Sequence, residues 1–117
     1  MPKLFYDRTK PARCPFCGAE IQRPVEVEGG QWYDFAGGFC DCGAVFVLDP
    51  TARNGGAAFL QSLIMVTDGD MDRAMSLTEG EDYDAGYVHK YNVHLNRLDP
   101  NSFGTLYFVR LRAGVAH

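Results

Sequence analysis

What this chain does not contain narrows it quickly. Its longest largely apolar stretch, AAFLQSLIMV at 57–66, is interrupted by Gln61 and Ser62. It has about half the length a bilayer span requires, so no membrane partner is expected. The opening MPKLFYDRTK has no apolar h-region, which argues against a secretory signal and for a cytoplasmic protein. There is no G-x-S-x-G, no Walker-type loop and no dinucleotide fingerprint. The 117 residues hold four cysteines, and no histidine stands near any of them in sequence. Nucleophilic catalysis by a cysteine–histidine pair therefore has no local support, and the expectation is a protein that is not an enzyme. In a reducing compartment, closely spaced cysteines favour metal binding over disulfides.

Basic residues are also missing from one third of the chain. Residues 25–50 carry Glu26, Glu28, Asp34, Asp41 and Asp49 and no Lys or Arg, a net of −5. Residues 1–24 set five basic groups against two acidic ones, a net of +3, and residues 51–117 set six against eight, a net of −2. Nucleic-acid binding draws much of its free energy from cation–phosphate contacts. The acidic middle disfavours that role, although a basic N-terminal arm and the pair Arg110/Arg112 keep it as an alternative. A protein partner is the main expectation.

The cysteines come in two pairs, Cys14-Pro15-Phe16-Cys17-Gly18 and Cys40-Asp41-Cys42-Gly43. In the first, proline fixes φ after one cysteine and glycine after the other can take positive φ, letting backbone N–H groups point at the sulfurs. Zinc–sulfur bonds of about 2.3 Å place the sulfurs of a tetrahedron roughly 3.8 Å apart, a separation that a tight turn over two residues produces. The second pair is shorter by one residue. Read as an extended strand entry, it puts both thiols on one side and offers fewer N–H donors, with Gly37, Gly38 and Gly43 providing backbone freedom. Asp41 is expected to point away from any metal. A Cys40–Cys42 disulfide would close a small strained ring.

Two short-spaced pairs separated by 22 residues with strand-like segments resemble the zinc-ribbon family. CPFCG matches that family's first knuckle; CDCG departs from its usual C-x-x-C-G by one residue. The resemblance covers residues 13–49. It implies a structural zinc with Cys14, Cys17, Cys40 and Cys42 as ligands, which would leave no open position for catalysis. Iron is the rival metal, since tetrahedral sulfur suits either. A rubredoxin-like electron carrier is then the alternative function, although rubredoxins carry C-x-x-C-G in both knuckles.

The fold expected is α+β: an N-terminal zinc β-ribbon, short helices, and a C-terminal β-hairpin or strand. Residues 1–50 form the ribbon module with its basic arm, and 51–117 an α+β extension packed on it. PVEVEGG predicts a strand and QWYDF a return strand ending at Gly37-Gly38; AVFV after the second pair predicts a third. DPTARNGG is a connector, whose NGG is read as a turn and not as an anion site. AAFLQSLIMV puts Phe59, Leu60, Leu63 and Ile64 on one helical face. DGD ends that helix, Asp70 caps a second over MDRAMSL with Met71, Ala74 and Met75 on its core face, and Thr78 with Glu81 has capping-box spacing. The calcium-loop spacing of Asp68, Asp70, Asp72, Ser76 and Glu79 is read as helix capping, because Arg73 stands where such a loop needs glycine. Residues 87–98 predict a hairpin leading through DPNSFG into the strand TLYFVRL. Trp32, Tyr33, Phe35, Phe39 and Phe46 are expected in the core. His89 and His94, five apart, fall on different faces and do not form a second metal pair; His117 is terminal.

Overall fold

The computed structural model describes residues 8–27 and 33–112. Among them are six strands, β1 (Lys10–Pro11), β2 (Gly37–Phe39), β3 (Val45–Asp49), β4 (Tyr83–Asn92), β5 (Arg97–Leu98) and β6 (Gly104–Leu111), with helices α1 (Gly55–Val66) and α2 (Met71–Ser76) between β3 and β4. The strands make one antiparallel sheet in the order β1-β5-β4-β6-β3-β2. The fold is mixed α+β, as the sequence predicts. The ribbon arrangement expected within residues 13–49 differs in detail.

β3 and most of β6 are buried on both faces, which explains their unbroken apolar runs. In β3, Val45 and Val47 face α1 and pack with Ala58, Leu63, Ile64 and Met65. Phe46 and Leu48 face the other way, where they meet Leu106, Phe108 and Tyr91 and, from the N-terminal segment, Ala12, Cys14 and Ile21. The sheet is therefore a middle layer, with helices on one side and the cysteine-bearing segments on the other. Phe46 and Phe108 stand opposite each other in register with ring centroids 5.4 Å apart.

The turn from β3 into α1 is closed by a buried carboxylate. Asp49 accepts hydrogen bonds from the Thr51 amide (3.1 Å) and hydroxyl (3.0 Å) and from the Asn54 amide (2.7 Å). Those bonds start the helix where the Asn54 side chain makes no capping bond of its own. At the far end Gly69, at φ +88°, donates its amide to the Ile64 carbonyl at 2.8 Å, satisfying a helix-end acceptor in the manner of a left-handed C-terminal cap.

Gln61, which interrupts the apolar run, is buried and bonds to the backbone of the predicted return strand. Its amide brackets the Phe35 backbone, accepting from Phe35 N at 2.9 Å and donating to Phe35 O at 2.8 Å. A helix side chain thus takes the place of a strand neighbour. Of PVEVEGG, the described residues 24–27 make a single bridge, Val25 to Gly37. In QWYDF, Gln31 and Trp32 lie outside the described residues and 33–35 are not strand; the strand begins at Gly37, where its end was predicted.

Other expectations meet mixed outcomes. Asp70 caps α2, accepting from Arg73 N at 3.0 Å; Asp68, at φ +56°, sits in the preceding turn and makes no such bond. Ala74 is buried and Met71 half-buried, but Met75 is exposed because a helix of six residues turns only part of one face inward. The Thr78 amide is capped by the Asp82 carboxylate at 2.8 Å and not by Glu81, and a turn follows instead of a helix. Phe46 is core and Tyr33 and Phe35 are half-buried, whereas Phe39 is exposed at the sheet edge. Trp32 and His117 lie outside the described residues. The hairpin of 87–98 and the final strand are both present, with β4 reaching back to Tyr83. No helix among the described residues is long and apolar enough to cross a membrane.

The β4–β5 hairpin holds the N-terminal segment. Arg23 donates to the Val93 (2.8 Å) and His94 (3.2 Å) carbonyls, and Asn96 donates to Ile21 O at 3.1 Å while accepting from the Tyr91 hydroxyl at 2.5 Å. Burial pushes the Tyr91 phenol from 10 up to about 12, against the pull of nearby Arg23. Folding thus keeps a proton that the unfolded chain gives up, so the contribution of Tyr91 is intact below pH 10 and is lost as pH rises to about 12. Tyr91→Phe is expected to cost about 1 kcal/mol at neutral pH through the lost hydrogen bond. It should also flatten the alkaline loss in urea-unfolding midpoints, leaving the part due to Tyr33, Tyr83 and Tyr107, whose phenols burial also raises.

Candidate metal centre

The four cysteines converge. One sulfur from each of Cys14, Cys17, Cys40 and Cys42 lies within 4.8 Å of every other. Two close separations run between the pairs, Cys14 to Cys42 at 3.7 Å and Cys17 to Cys40 at 3.5 Å. Both match the roughly 3.8 Å edge of a tetrahedron with zinc–sulfur bonds of about 2.3 Å. None of the four is in a disulfide. The donor set is chemically uniform and could hold a metal ion.

Each pair sits in a turn closed by its own backbone. In the first, Gly18 N donates to Cys14 O (2.9 Å) and Cys14 N to Ala19 O (2.9 Å), with Gly18 at φ +78°. In the second, Gly43 N donates to Cys40 O (2.9 Å) and Cys40 N to Ala44 O (2.8 Å), with Gly43 at φ +97°. The two patterns are the same with one residue removed: a bond spanning four residues becomes one spanning three. The second pair is therefore a tight turn and not the extended strand entry its spacing suggests. Gly43 makes the difference, because the left-handed region admits glycine without penalty. Asp41 occupies the tip of this turn and is exposed.

The amides of these turns act on the thiols. Burial raises the Cys14 thiol, opposed by the amides of Phe16 and Cys17. Burial likewise pushes Cys40 up to about 12 against the amide of Cys42. For Cys42 burial again acts upward, but the Ala44 amide and hydrogen bonds from the three other thiols outweigh it, bringing the thiol down to about 7. The N–H donors that the first spacing predicts are present in both turns.

The surroundings fix the first turn on the sheet. Cys14 is buried within the core facing away from the helices, and Phe16, Cys40 and Cys42 pack against that core. Cys17 is exposed. Arg13 donates to Gly18 O at 3.0 Å, and the Arg110 guanidinium lies over the Phe16 ring at 4.9 Å, a cation–π contact. Arg112 is bound to Asp84 at 2.8 Å, so of the two strand arginines weighed for nucleic acid one is already paired. Gly86 in β4 makes the docking possible: a Cβ there would meet Pro15 Cγ at 2.8 Å and Phe16 Cζ at 3.7 Å. Gly86→Ala is expected to lift the turn and cost about 1–3 kcal/mol, measurable as a lower melting temperature of the metal-loaded protein.

The residues weighed for other sites are elsewhere. His89 stands on β4 with Nδ1 3.5 Å from Thr105 Oγ1, and His94 is in the β4–β5 turn. The Asp68–Glu79 stretch holds α2 where a calcium loop would need an open turn. The contributions of Asp49, Gln61 and Gly86 went unread in the sequence; the visible signal for Gln61 was a polar residue inside an otherwise apolar helical run. No protein-family model, curated protein or solved structure matches this chain.

Proposed function

We propose that the protein is a small zinc protein in which Cys14, Cys17, Cys40 and Cys42 hold one structural metal ion and the folded unit serves as a protein-interaction module or accessory subunit. The observation that carries the reading is the convergence of four thiols from two separate turns within 4.8 Å. Thiolate ligands must lose their protons to bind, so metal uptake displaces protons and couples to folding. Four sulfurs complete a tetrahedron and leave no position for substrate, which places the metal's contribution in holding the two turns against the sheet. Zinc in such a site supplies cross-linking and charge neutralisation and no redox chemistry.

Metal analysis of protein from native-like expression tests the site. A colourless protein with one zinc per chain supports the reading. A red protein with one iron replaces it by an electron carrier, since tetrahedral sulfur accepts either ion. Affinity capture from the source cell tests the module: partners retained by the zinc-loaded chain and lost with Cys42→Ser support it, and capture of none overturns it.

A further inference from the structure

A groove beside β2 has the walls, the rim charge and the backbone edge of a peptide-binding site. It lies where the end of α1 approaches the sheet edge and has a volume of about 330 Å³, room for one or two side chains. Val25, Val27, Phe39 and Met65 supply apolar walls, and the acidic residues Glu26 and Asp68 are among the others that line it. Val25 and Phe39 are 63% and 64% exposed, unusual for large apolar residues that share one concavity. Gly37 lies at its floor, close against β3: a Cβ there would stand 2.5 Å from the Phe46 carbonyl and in ordinary contact with Val27 and Met65.

The backbone at this edge is also half used. Leu48 N donates to Ala36 O (2.8 Å) and Cys40 N to Ala44 O (2.8 Å), so residues 36, 38 and 40 turn their polar groups towards β3 and residues 37 and 39 turn theirs outward. Val25 takes both outward groups of Gly37, at 2.9 and 2.8 Å. The sheet ends there, and Phe39 has no strand neighbour on its outer side among the described residues. An extended segment can continue the pairing where Val25 stops.

Charge selects what that segment carries. Residues 25–50 contain five carboxylates and no Lys or Arg, and Glu26 and Asp68 stand at the groove itself. Tyr33 adds an aromatic wall near Asp68, its hydroxyl 3.8 Å from where a Cβ on Gly69 would be. A lysine or arginine can lay its methylene stem along Val25, Phe39 and Met65 and bring its charge towards the acidic residues Glu26 and Asp68, with aromatic side chains nearby. A polyanion would meet only repulsion. We infer that this groove docks a short extended segment of a partner protein in which lysine or arginine alternates with apolar residues.

The inference rests on the interaction-module reading, and its test separates the two. A short labelled peptide alternating leucine with lysine, and its counterpart alternating leucine with glutamate, are titrated with the zinc-loaded full chain by fluorescence anisotropy. The lysine peptide is expected to bind and the glutamate peptide not. Glu26→Gln with Asp68→Asn should weaken the lysine peptide about tenfold at low salt; asparagine tolerates the left-handed backbone of residue 68. Phe39→Ser should weaken it similarly without lowering the melting temperature, because Phe39 is exposed. Equal binding of both peptides, no binding of either, or unchanged binding by the neutralised variant overturns the inference. Partners still captured by the neutralised variant would leave the module reading standing with the groove excluded; capture of none by the wild-type chain would sink the module itself.

Discussion

Cys17→Ser is expected to lose the metal proposed for the site and, with it, most of its cooperative unfolding transition. Structural zinc contributes on the order of 10 kcal/mol in small domains, comparable to the whole margin of about 5–15 kcal/mol that holds an ordinary domain folded. Cys17 is exposed, so its substitution removes a ligand and almost no packing. Cys14→Ser removes a ligand and also sets a hydroxyl among Phe46, Phe108 and Ile21, and it should be the less stable of the two. A strong chelator added to the wild-type protein should reproduce Cys17→Ser and fall short of Cys14→Ser. Zinc content and thermal melts, taken together, check this ordering. If Cys17→Ser kept one zinc per chain and an unchanged melting temperature, the four-thiolate assignment would be wrong.

Phe108→Ala is the second large effect, expected at about 3–5 kcal/mol. Phe108 is fully buried in the central strand β6, opposite Phe46 in β3 and Gly86 in β4. Removing its ring leaves a hole that flanking strands cannot close, because both are paired in register on either side of it. Since Phe108 shares a core with Cys14, the same change should speed loss of the zinc proposed for that site. Urea unfolding with and without chelator separates the two contributions. A loss confined to the zinc-loaded protein would mean that the aromatic pair stabilises the fold only through the metal.

The strongest patterns in the chain were local. Two cysteine pairs with glycine after each named the four thiols that converge, and the run TLYFVRL with the turn DPNSFG before it pointed to β6 and its hairpin. Apolar spacing identified α1, although Phe59 and Leu60 lie at its half-buried flank while Gln61 and Ser62 are interior. What stayed hidden depends on distant partners. No local rule reveals that a helix glutamine will bracket Phe35, or that Val47 in β3 will pair with Tyr107 in β6, far along the chain. The shortened second pair was misjudged for a related reason: period-two spacing describes a strand, whereas glycine at residue 43 permits a turn that no side-chain pattern announces. Phe39 was misjudged because aromatic composition does not say which strand ends the sheet.

The pairing of β3 with β6 sets an order of events during synthesis. Both cysteine turns leave the ribosome early, and their bonds span only a few residues, so each can close by itself. The apolar floor beneath them belongs to Leu106 and Phe108, in the last strand described. A chain halted before Gly104 would own four ligands and nothing to rest them on. A metal ion caught at that stage closes a loop of 22 residues between Cys17 and Cys40, at an entropic cost that grows only slowly with loop length. On the proposed reading, such an ion would keep the cysteine segments together until β6 arrives between β3 and β4.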